Sequence, residues 1–487
     1  MSSETVTSVN KLRRNSIGLA LLTFMVISAA APLTGVAGAI PIAMLLGNGA
    51  GVPGTFVIMA VVMLVWAVGF VTLARYIKNA GAFYAYSARA LGGKTGGMVA
   101  MIALLSYNAM MFALMGLFGG IAASVFGGFG INLPWYVWSL IGVLLIGFLG
   151  YRQVELSAKV LFVLVALEVL IALIVDFAIL KQGGAGQLSY NIFDPNLLFS
   201  GSAGAAIIFT FGSFIGVEAS AIYAEEARDP ARTVPRATYL AIILIAAFYT
   251  LTTWLMVGAT GVDKLVPTIG ALPDPTAYFF EIAGQYAGGG VATAAGLLLV
   301  TSIFASASAM HNFIARYFYV TGREGILPSF LGVTHGTHQS PHAGSVTQTL
   351  MAVVVVGLFA IFGLDPILTL FTWVAQISVF GILVMMAITS FAVIAYFRSH
   401  KTDESGFKTF IAPLLSGVAM ALMAAYVYYN FGPSTGTEGL LSFALPSLVA
   451  LFAVIGYVAA ARLQSRAPKR FAAMGDNDWA TGDPGAW

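Results

Sequence analysis

The chain has 487 residues, of which 59% are hydrophobic and only 9% are charged, and its net charge is +3. A soluble globular protein carries roughly 25% charged residues, so this composition excludes a soluble fold and indicates a polytopic membrane protein in contact with the lipid bilayer. The sequence contains no cysteine, which excludes disulfides, thiolate metal sites and cysteine nucleophiles. A net charge this small gives no reason to expect a nucleic-acid partner.

Twelve apolar segments are candidates for membrane-spanning helices, each of which needs about 20 mostly apolar residues. The first segment is longer than the apolar core of a cleavable signal peptide, which is roughly 7–15 residues, so we predict that it is a span. The twelve segments lie near residues 17–46, 54–75, 95–126, 134–150, 155–180, 201–223, 238–260, 288–318, 345–363, 367–397, 410–430 and 440–461.

The basic residues are distributed unevenly between the loops that join these spans. Of the 23 Lys and Arg, 21 fall on one side of a twelve-span topology, and only Lys181 and Lys264 lie elsewhere. Because positively charged loops stay on the cytoplasmic side, this bias predicts that both termini are cytoplasmic. Residues 1–16 then form one cytoplasmic tail and 463–487 the other. The second tail is polar and contains Pro and Gly, so we expect it to be disordered.

Two of the spans contain residues that interrupt a helix. In the first span, Pro32 removes a backbone donor and Gly35 eases non-helical angles. In the sixth span, the run Phe211–Gly216 contains two glycines. A simple kink would explain either span alone, but the pair, five spans apart, predicts two inverted five-helix repeats with a site between the breaks. We assign the first repeat to about 17–180, the second to about 201–398, and helices 11 and 12 to 399–462.

Glu168 and Glu218 lie well inside predicted spans. A charged side chain there costs roughly 2.5–3.5 kcal/mol, so each acid must be protonated, paired or open to a water-filled cavity. Both are candidates for proton coupling. For Glu218 we favour a hydrogen-bonded strut in the cytoplasmic half, and for Glu168 we favour proton coupling.

Three segments carry motifs that can be compared with a known family. In the sixth span and its loop, Ile215-Gly216-Val217-Glu218 is followed by Ala224-Glu225-Glu226 and by Pro230…Pro235-Arg236-Ala237. The other two segments are Ala315-Arg316-Tyr317 with Gly322–Pro328, and Gly81–Tyr86. In this order they resemble the signature of the amino acid–polyamine–organocation (APC) superfamily, with Ala82 in place of one glycine. The resemblance covers nearly the whole chain.

The resemblance implies an all-α polytopic membrane protein of twelve transmembrane helices, with a 5+5 inverted-repeat core and discontinuous helices 1 and 6. It implies a secondary transporter, not an enzyme, that moves an amino acid or related amine by alternating access, often with protons. In such transporters the substrate carboxylate meets backbone N–H groups of the first break, and its amine meets carbonyls of both breaks. The substrate-binding candidates carried over are Ala30, Ala31, Thr34, Gly35, Phe211, Ser213, Phe214 and Ile215.

The chain departs from the family pattern in two ways that bear on mechanism. The first break reads Ala-Ala-Ala-Pro-Leu-Thr-Gly and not a glycine-rich run, so fewer backbone donors are expected to be free. Many proton-coupled members also carry a lysine in helix five, at the position that Glu168 occupies here. We therefore hypothesise that Glu168 carries the coupling proton.

The sequence is compatible with more than one mode of transport. Sodium could be the coupling ion, with Ser302, Ser306 and Ser308 near the first helix, although these residues also suit helix packing. Exchange of amino acids or amines is a further alternative, and a polyamine or ethanolamine-type amine permease is a less favoured one. A membrane-embedded enzyme is disfavoured because clustered catalytic residues are missing. No nucleotide-binding loop is present, so we expect an ion gradient and no cofactor to drive transport.

Four residues are candidates for gating. Trp373 lies in the tenth span, and Glu226, Arg236 and Arg316 are expected on the cytoplasmic side. Because exposed ion pairs are individually weak, such charges would act in state-dependent gating and contribute little to stability. We expect no metal site, since His335, His338 and His342 have no cysteine or acid close by. No acid is evidently placed to meet a cationic side chain, which favours a small neutral or apolar substrate.

Overall fold

The computed structural model describes residues 17–77, 79, 81–152, 158–186, 188, 190–223, 227–334 and 340–476. Ten helices in these ranges are long and apolar enough to span a membrane. Two shorter apolar helices, Trp135–Tyr151 and Ala203–Gly212, complete the set. The predicted all-helical architecture of twelve spans is therefore confirmed.

We label the twelve spans α1 to α12 in chain order. Helix α1 consists of Leu19–Ala30, Pro32–Thr34, the π-helical Gly35–Ala39 and Ile40–Leu46. Helix α6 consists of Ala203–Gly212 and Ala219–Ile222. Helices α10 and α11 each begin with a π-helical turn, Pro366–Phe371 before Thr372–Ser399 and Phe407–Ile411 before Ala412–Tyr429. The remaining spans are α2 Val52–Leu73, α3 Gly93–Gly127, α4 Trp135–Tyr151, α5 Ala158–Gln182, α7 Pro230–Thr260, α8 Gly289–Arg323, α9 His342–Ile361 and α12 Leu441–Arg466.

Helix α7 begins at Pro230, earlier than the predicted start near 238. Proline suits the first turn of a helix because it lacks an N–H that would have no partner there. Val234 and Ala237 are buried, so these roughly two added turns pack against the bundle. Arg232 and Arg236 consequently lie on a helix and not in a loop.

The two discontinuous helices lie at the centre of the bundle. Helix α1 packs against α5, α7 and α8, whereas α10 packs mainly against α3 and α11. Helix α3 also contacts α8 and α12 along its length. The breaks in α1 and α6 therefore face a space that α3, α8 and α10 enclose from the other side.

We use the term basic end for the end of the bundle that carries most of the Lys and Arg residues. It is the end at which α2, α6, α8, α10 and α12 finish. A short amphipathic helix, Phe83–Leu91, lies at this end between α2 and α3. The segment Pro468–Ala472 forms another helix after α12. The structure thus differs from the predicted disorder of the tail over 463–476; residues 477–487 lie outside the described ranges.

The tail is ordered because it buries apolar and polar groups against the basic end. Phe471 and Met474 pack on Gly93, where a Cβ atom would lie 2.7 Å from the Phe471 ring. The Gly475 N–H donates to Glu324 Oε2 at 3.0 Å. Arg89 forms an ion pair with Asp476 at 3.4 Å. These contacts attach the tail to the end of α8 and to the helix Phe83–Leu91.

Candidate functional site

A cavity of about 70 Å³ lies between the breaks of α1 and α6. A cavity of this size has room for a small molecule. The polar side chains in its wall are Thr34, Ser213, Ser306 and Gln376. The rest of the wall is apolar or small, and within the described ranges it carries no acidic or basic side chain.

The break in α1 is confined to Ala31, which has the left-handed backbone angles φ 45° and ψ 78°. An L-residue with a Cβ atom pays about 1–2 kcal/mol for this conformation, and such strain clusters at functional sites. Pro32 then restarts the helix at its first position. The Ala29 carbonyl accepts a hydrogen bond from Ser306 at 3.1 Å. The break is thus short, and the α8 hydroxyl satisfies one of the carbonyls that it frees.

Glu168 is 1% exposed and lies against the second half of α1. Its Oε2 accepts a hydrogen bond from the Ser302 hydroxyl at 2.7 Å. The backbone N–H of Leu33, in the first turn after the break, lies close enough to this carboxyl group to interact with it. Ser302 lies 3.0 Å from the Thr34 hydroxyl, which is part of the cavity wall. Glu168 is therefore linked to the cavity through the hydroxyl groups of Ser302 and Thr34.

Tyr249 of α7 is a residue of this site that the sequence did not reveal. Its hydroxyl oxygen lies 3.4 Å from the Ala30 carbonyl oxygen. A Cβ atom added to Gly35 would lie 2.2 Å from the same tyrosine hydroxyl oxygen. The ring stacks on Phe56 at 5.0 Å between centroids. A lone tyrosine in an apolar span carries no motif, so only the packing of α7 on α1 identifies it.

The break in α6 is held by Gly216 and Glu218. Gly216 has φ +107°, and a Cβ atom there would lie 2.8 Å from that of Ala29, so only glycine lets α6 approach α1 this closely. Glu218 Oε2 accepts from the Gly216 N–H at 2.9 Å. Its Oε1 accepts from the Tyr107 hydroxyl of α3 at 3.0 Å. This geometry fits the strut interpretation of Glu218, because both oxygens join segments of the backbone and bundle.

The predicted substrate-binding residues fall into two groups. Phe211 and Phe214 are buried but lie outside the cavity wall, and Phe214 packs 6.3 Å from Phe56 between ring centroids. The other six line the cavity: Ala30, Ala31, Thr34, Gly35, Ser213 and Ile215.

The predicted gating residues also separate. Trp373 faces away from the cavity, since its indole N–H donates to the Thr435 carbonyl at 2.9 Å in the connection after α11. Arg316 lies over the Tyr223 ring at 5.1 Å, which joins α8 to the end of α6. Arg236 is exposed, and Glu226 lies outside the described residues.

The start of α1 is attached to the connection between α6 and α7. Ile17 pairs with Ala227 in a parallel bridge, and the Arg228 N–H donates to the Ile17 carbonyl at 2.8 Å. Together with Arg316 and Tyr223, this pairing joins α1, α6 and α8 at the basic end. These contacts hold the ends of the three helices together at the basic end.

The geometry can now be compared with known proteins. A family model described as amino acid permease matches residues 17–460. The chain belongs to the amino acid permease family. It is a multi-pass membrane transporter whose family handles amino acids or amines, and not an enzyme.

Curated relatives agree with this assignment. The low-affinity putrescine importer PlaP of Escherichia coli (strain K12) is 26% identical over 408 residues, which covers 80% of this chain and 83% of that protein. The branched-chain amino acid permease BcaP of Bacillus subtilis (strain 168) is 23% identical over 400 residues, covering 79% and 81%.

Solved structures share the fold of this permease. The manganese transporter of Eremococcus coleocola, in complex with an aromatic bis-isothiourea compound, has a TM-score of 0.60 at 12% identity. The alignment covers 94% of this permease and all of that chain. The likeness is one of fold alone. In the part of this permease that the structure describes, no three His, Cys, Asp or Glu residues cluster as metal ligands.

Proposed function

We propose that this permease imports a small neutral amino acid across the plasma membrane and that Glu168 carries the coupling proton. The observation that supports this proposal best is the double attachment of Glu168. Its carboxyl group accepts a hydrogen bond from Ser302, which is in turn linked to Thr34 in the cavity wall, and it also interacts with the Leu33 N–H just after the α1 break. A change in its charge would therefore act directly on the backbone beside the cavity.

The coupling step follows from hydrogen-bond chemistry. An ionised carboxylate only accepts hydrogen bonds, and its bonds to N–H and O–H donors are roughly twice as strong as neutral ones. Protonation of Glu168 weakens its hold on the Leu33 N–H and adds a donor. The second half of α1 then moves more easily relative to α5 and α8. Proton binding and the rearrangement of the break are thereby linked.

The composition of the cavity wall supports a neutral substrate. An amino acid presents an ammonium group and a carboxylate, which suit the carbonyls and N–H groups that end and begin half-helices at a break. The candidates for these contacts are Ala30, Ala31, Thr34, Gly35, Ser213 and Ile215. A diamine such as putrescine carries two positive charges, and the described cavity wall offers no carboxylate to either of them.

The charge distribution supports an orientation with the basic end in the cytoplasm, so that both termini are cytoplasmic. Release of substrate to that side then requires Ile17 to separate from Ala227 and Arg316 to leave Tyr223. The first is a backbone pairing and the second is a cation–π contact, a type of interaction worth about 0.5–2 kcal/mol.

Uptake by purified protein in proteoliposomes tests the proposal. Radiolabelled neutral amino acids and putrescine are offered under an imposed pH gradient, in sodium-free and sodium-containing buffer. We expect saturable uptake of a neutral amino acid that the pH gradient drives without sodium. Uptake of putrescine alone, or no gradient-driven uptake of any amino acid, contradicts the proposal.

Sodium coupling is the second candidate because oxygen atoms cluster between α1 and α8. The Ala29 carbonyl and the Ser306, Ser302 and Thr34 hydroxyls lie together beside the break, and hard cations prefer oxygen ligands. A strict requirement for sodium in the same assay favours this candidate over the proton.

A further inference from the structure

We propose that Gln376 of α10 selects the substrate by its side chain, and that the permease prefers neutral amino acids with a hydroxyl or carboxamide group. This inference rests on the proposed import of a neutral amino acid and names the class more narrowly. Gln376 lines the cavity and is 1% exposed. Neither its Nε2 nor its Oε1 has a hydrogen-bond partner among the described residues.

An unpaired amide in this position requires a partner. Buried side-chain amides are almost always hydrogen-bonded, and one that is not destabilises the protein unless a ligand or water supplies the missing bonds. Gln376 borders the space where the substrate is proposed to bind. The substrate itself is therefore the partner that the arrangement fits.

The position of Gln376 indicates which part of the substrate it meets. The α1 and α6 breaks form one wall, with backbone groups suited to the ammonium and carboxylate groups that all amino acids share. Gln376 lies on α10, which packs against α3, and the neighbouring α3 residues Met110 and Leu114 are apolar. Gln376 is the polar group on this opposite wall, where the variable side chain of the substrate extends.

The chemistry of the amide defines the preferred class. Its Oε1 accepts a hydrogen bond and its Nε2 donates one, so it pairs with a group that can do both. A hydroxyl and a carboxamide meet that requirement, whereas an aliphatic side chain leaves both amide atoms unpaired. A carboxylate or ammonium group on the substrate side chain would lie against this wall, whose described residues offer no side chain of opposite charge. The size of the cavity further favours short side chains.

The isosteric pair L-threonine and L-valine gives the sharpest test, because the two differ only by a hydroxyl in place of a methyl. Uptake of each labelled amino acid is measured in proteoliposomes under an imposed pH gradient. We expect the wild type to take up threonine with a kcat/KM about 10- to 100-fold higher than that for valine. Gln376→Leu should reduce this ratio to near one or invert it, mainly through KM for threonine.

Gln348 of α9 provides a matched control. It is also fully buried with both amide atoms unpartnered in the described structure, but it lies outside the cavity wall. Gln348→Leu removes the same chemical group and should leave the threonine-to-valine ratio unchanged. An equal change in both variants would indicate a general packing effect and overturn the inference.

The outcomes separate this inference from the proposed function. If amino acids are taken up but the wild type does not favour threonine over valine, the specificity role of Gln376 is wrong and the import proposal stands. This comparison needs no variant, so it holds even if Gln376→Leu fails to fold. If no amino acid is taken up, the proposed function itself fails, and the role of Gln376 fails with it.

Discussion

The Glu168 carboxylate of α5 accepts a hydrogen bond from the Ser302 hydroxyl of α8 at 2.7 Å, beside the second half of α1. Glu168 and Ser302 are both at most 1% exposed, so the bond lies in a water-poor part of the bundle. A carboxylate in such a place raises the free energy of the protein unless it is paired or protonated. A change in its protonation state can therefore shift the balance between conformations of the surrounding helices. The first prediction follows from this pair.

Glu168→Gln should abolish the dependence of uptake on the pH gradient while leaving the fold intact. The glutamine carbonyl still accepts from Ser302 or Leu33, but the side chain no longer binds a proton. We expect gradient-driven accumulation to fall at least ~10-fold, whereas exchange of labelled for unlabelled substrate continues. Proteoliposome uptake measured with and without the gradient checks this.

Asp176→Asn serves as the control, because Asp176 is another buried acid of α5 that is bonded to Thr252 at 2.8 Å, away from the α1 break. It should keep the pH-dependence of the wild type. Unchanged pH-dependence in Glu168→Gln would falsify the coupling role.

Tyr107→Phe should destabilise the protein with little effect on KM. The substitution removes the hydroxyl that bonds Glu218 Oε1 at 3.0 Å and leaves a buried carboxyl oxygen without its partner. Loss of one such bond costs about 1–3 kcal/mol, so the melting temperature in detergent should fall by several degrees. Tyr457→Phe, at a residue 44% exposed on α12, should leave it unchanged. Equal melting temperatures for all three proteins would rule out the strut.

Gly35→Ala should impair folding and transport because the new methyl group meets the Tyr249 ring. The Cβ atom would lie 2.2 Å from the tyrosine oxygen, closer than any tolerated contact. Overpacking of this kind costs about 1–3 kcal/mol. The double variant with Tyr249→Leu should recover much of the loss, which thermal stability and uptake together measure.

Gly357→Ala in α9 is the control for Gly35, since nothing lies within 4 Å of the position that its added methyl group would take. That substitution should be neutral or slightly stabilising, because alanine favours helices over glycine by about 1 kcal/mol. If Tyr249→Leu gives no recovery in the Gly35→Ala background, the proposed clash is not the cause of the defect.

The docking of the tail at the basic end should weaken as pH rises. Burial raises the pKa of Glu324 above its usual value, although hydrogen bonds from Tyr84 and the Gly475 N–H and the charge of Arg323 act in the opposite direction. Release of the tail exposes Glu324 and returns its pKa towards about 4.3. Glu324 therefore binds its proton more tightly when the tail is docked than when it is released. Docking is strongest at a pH below the pKa of Glu324 in the released form, and it weakens as the pH rises through the higher pKa of the docked form.

Hydrogen exchange over 468–476, corrected for intrinsic rates, measures this effect. Protection in the wild type should decrease with rising pH. Glu324→Gln keeps a carbonyl that accepts from the Gly475 N–H but cannot titrate, so its protection should not depend on pH. A pH-dependence of the same size in both proteins would show that Glu324 is not its source.

Much of the architecture could be predicted because it depends on local composition. The lengths of the apolar segments determine the number of spans, and the interruptions at Pro32 and Gly212–Gly216 mark the two discontinuous helices. The tail was predicted incorrectly over 463–476 because Phe471 and Met474 gain their stability from Gly93, some 380 residues earlier in the chain. Such a long-range contact leaves no signal in the local composition.

By itself, the sequence determined the class of the protein, its transporter family and the two acids inside the membrane, because each follows from residue type and spacing. Only the tertiary structure decided which candidates share the cavity. It joined Glu168 to Leu33 and Ser302, turned Phe214 and Trp373 away from the wall, and brought Tyr249 and Gln376 to the breaks. The physical reason is that a helix presents its residues in different directions, and only the packing of neighbouring helices fixes which of those directions faces the substrate.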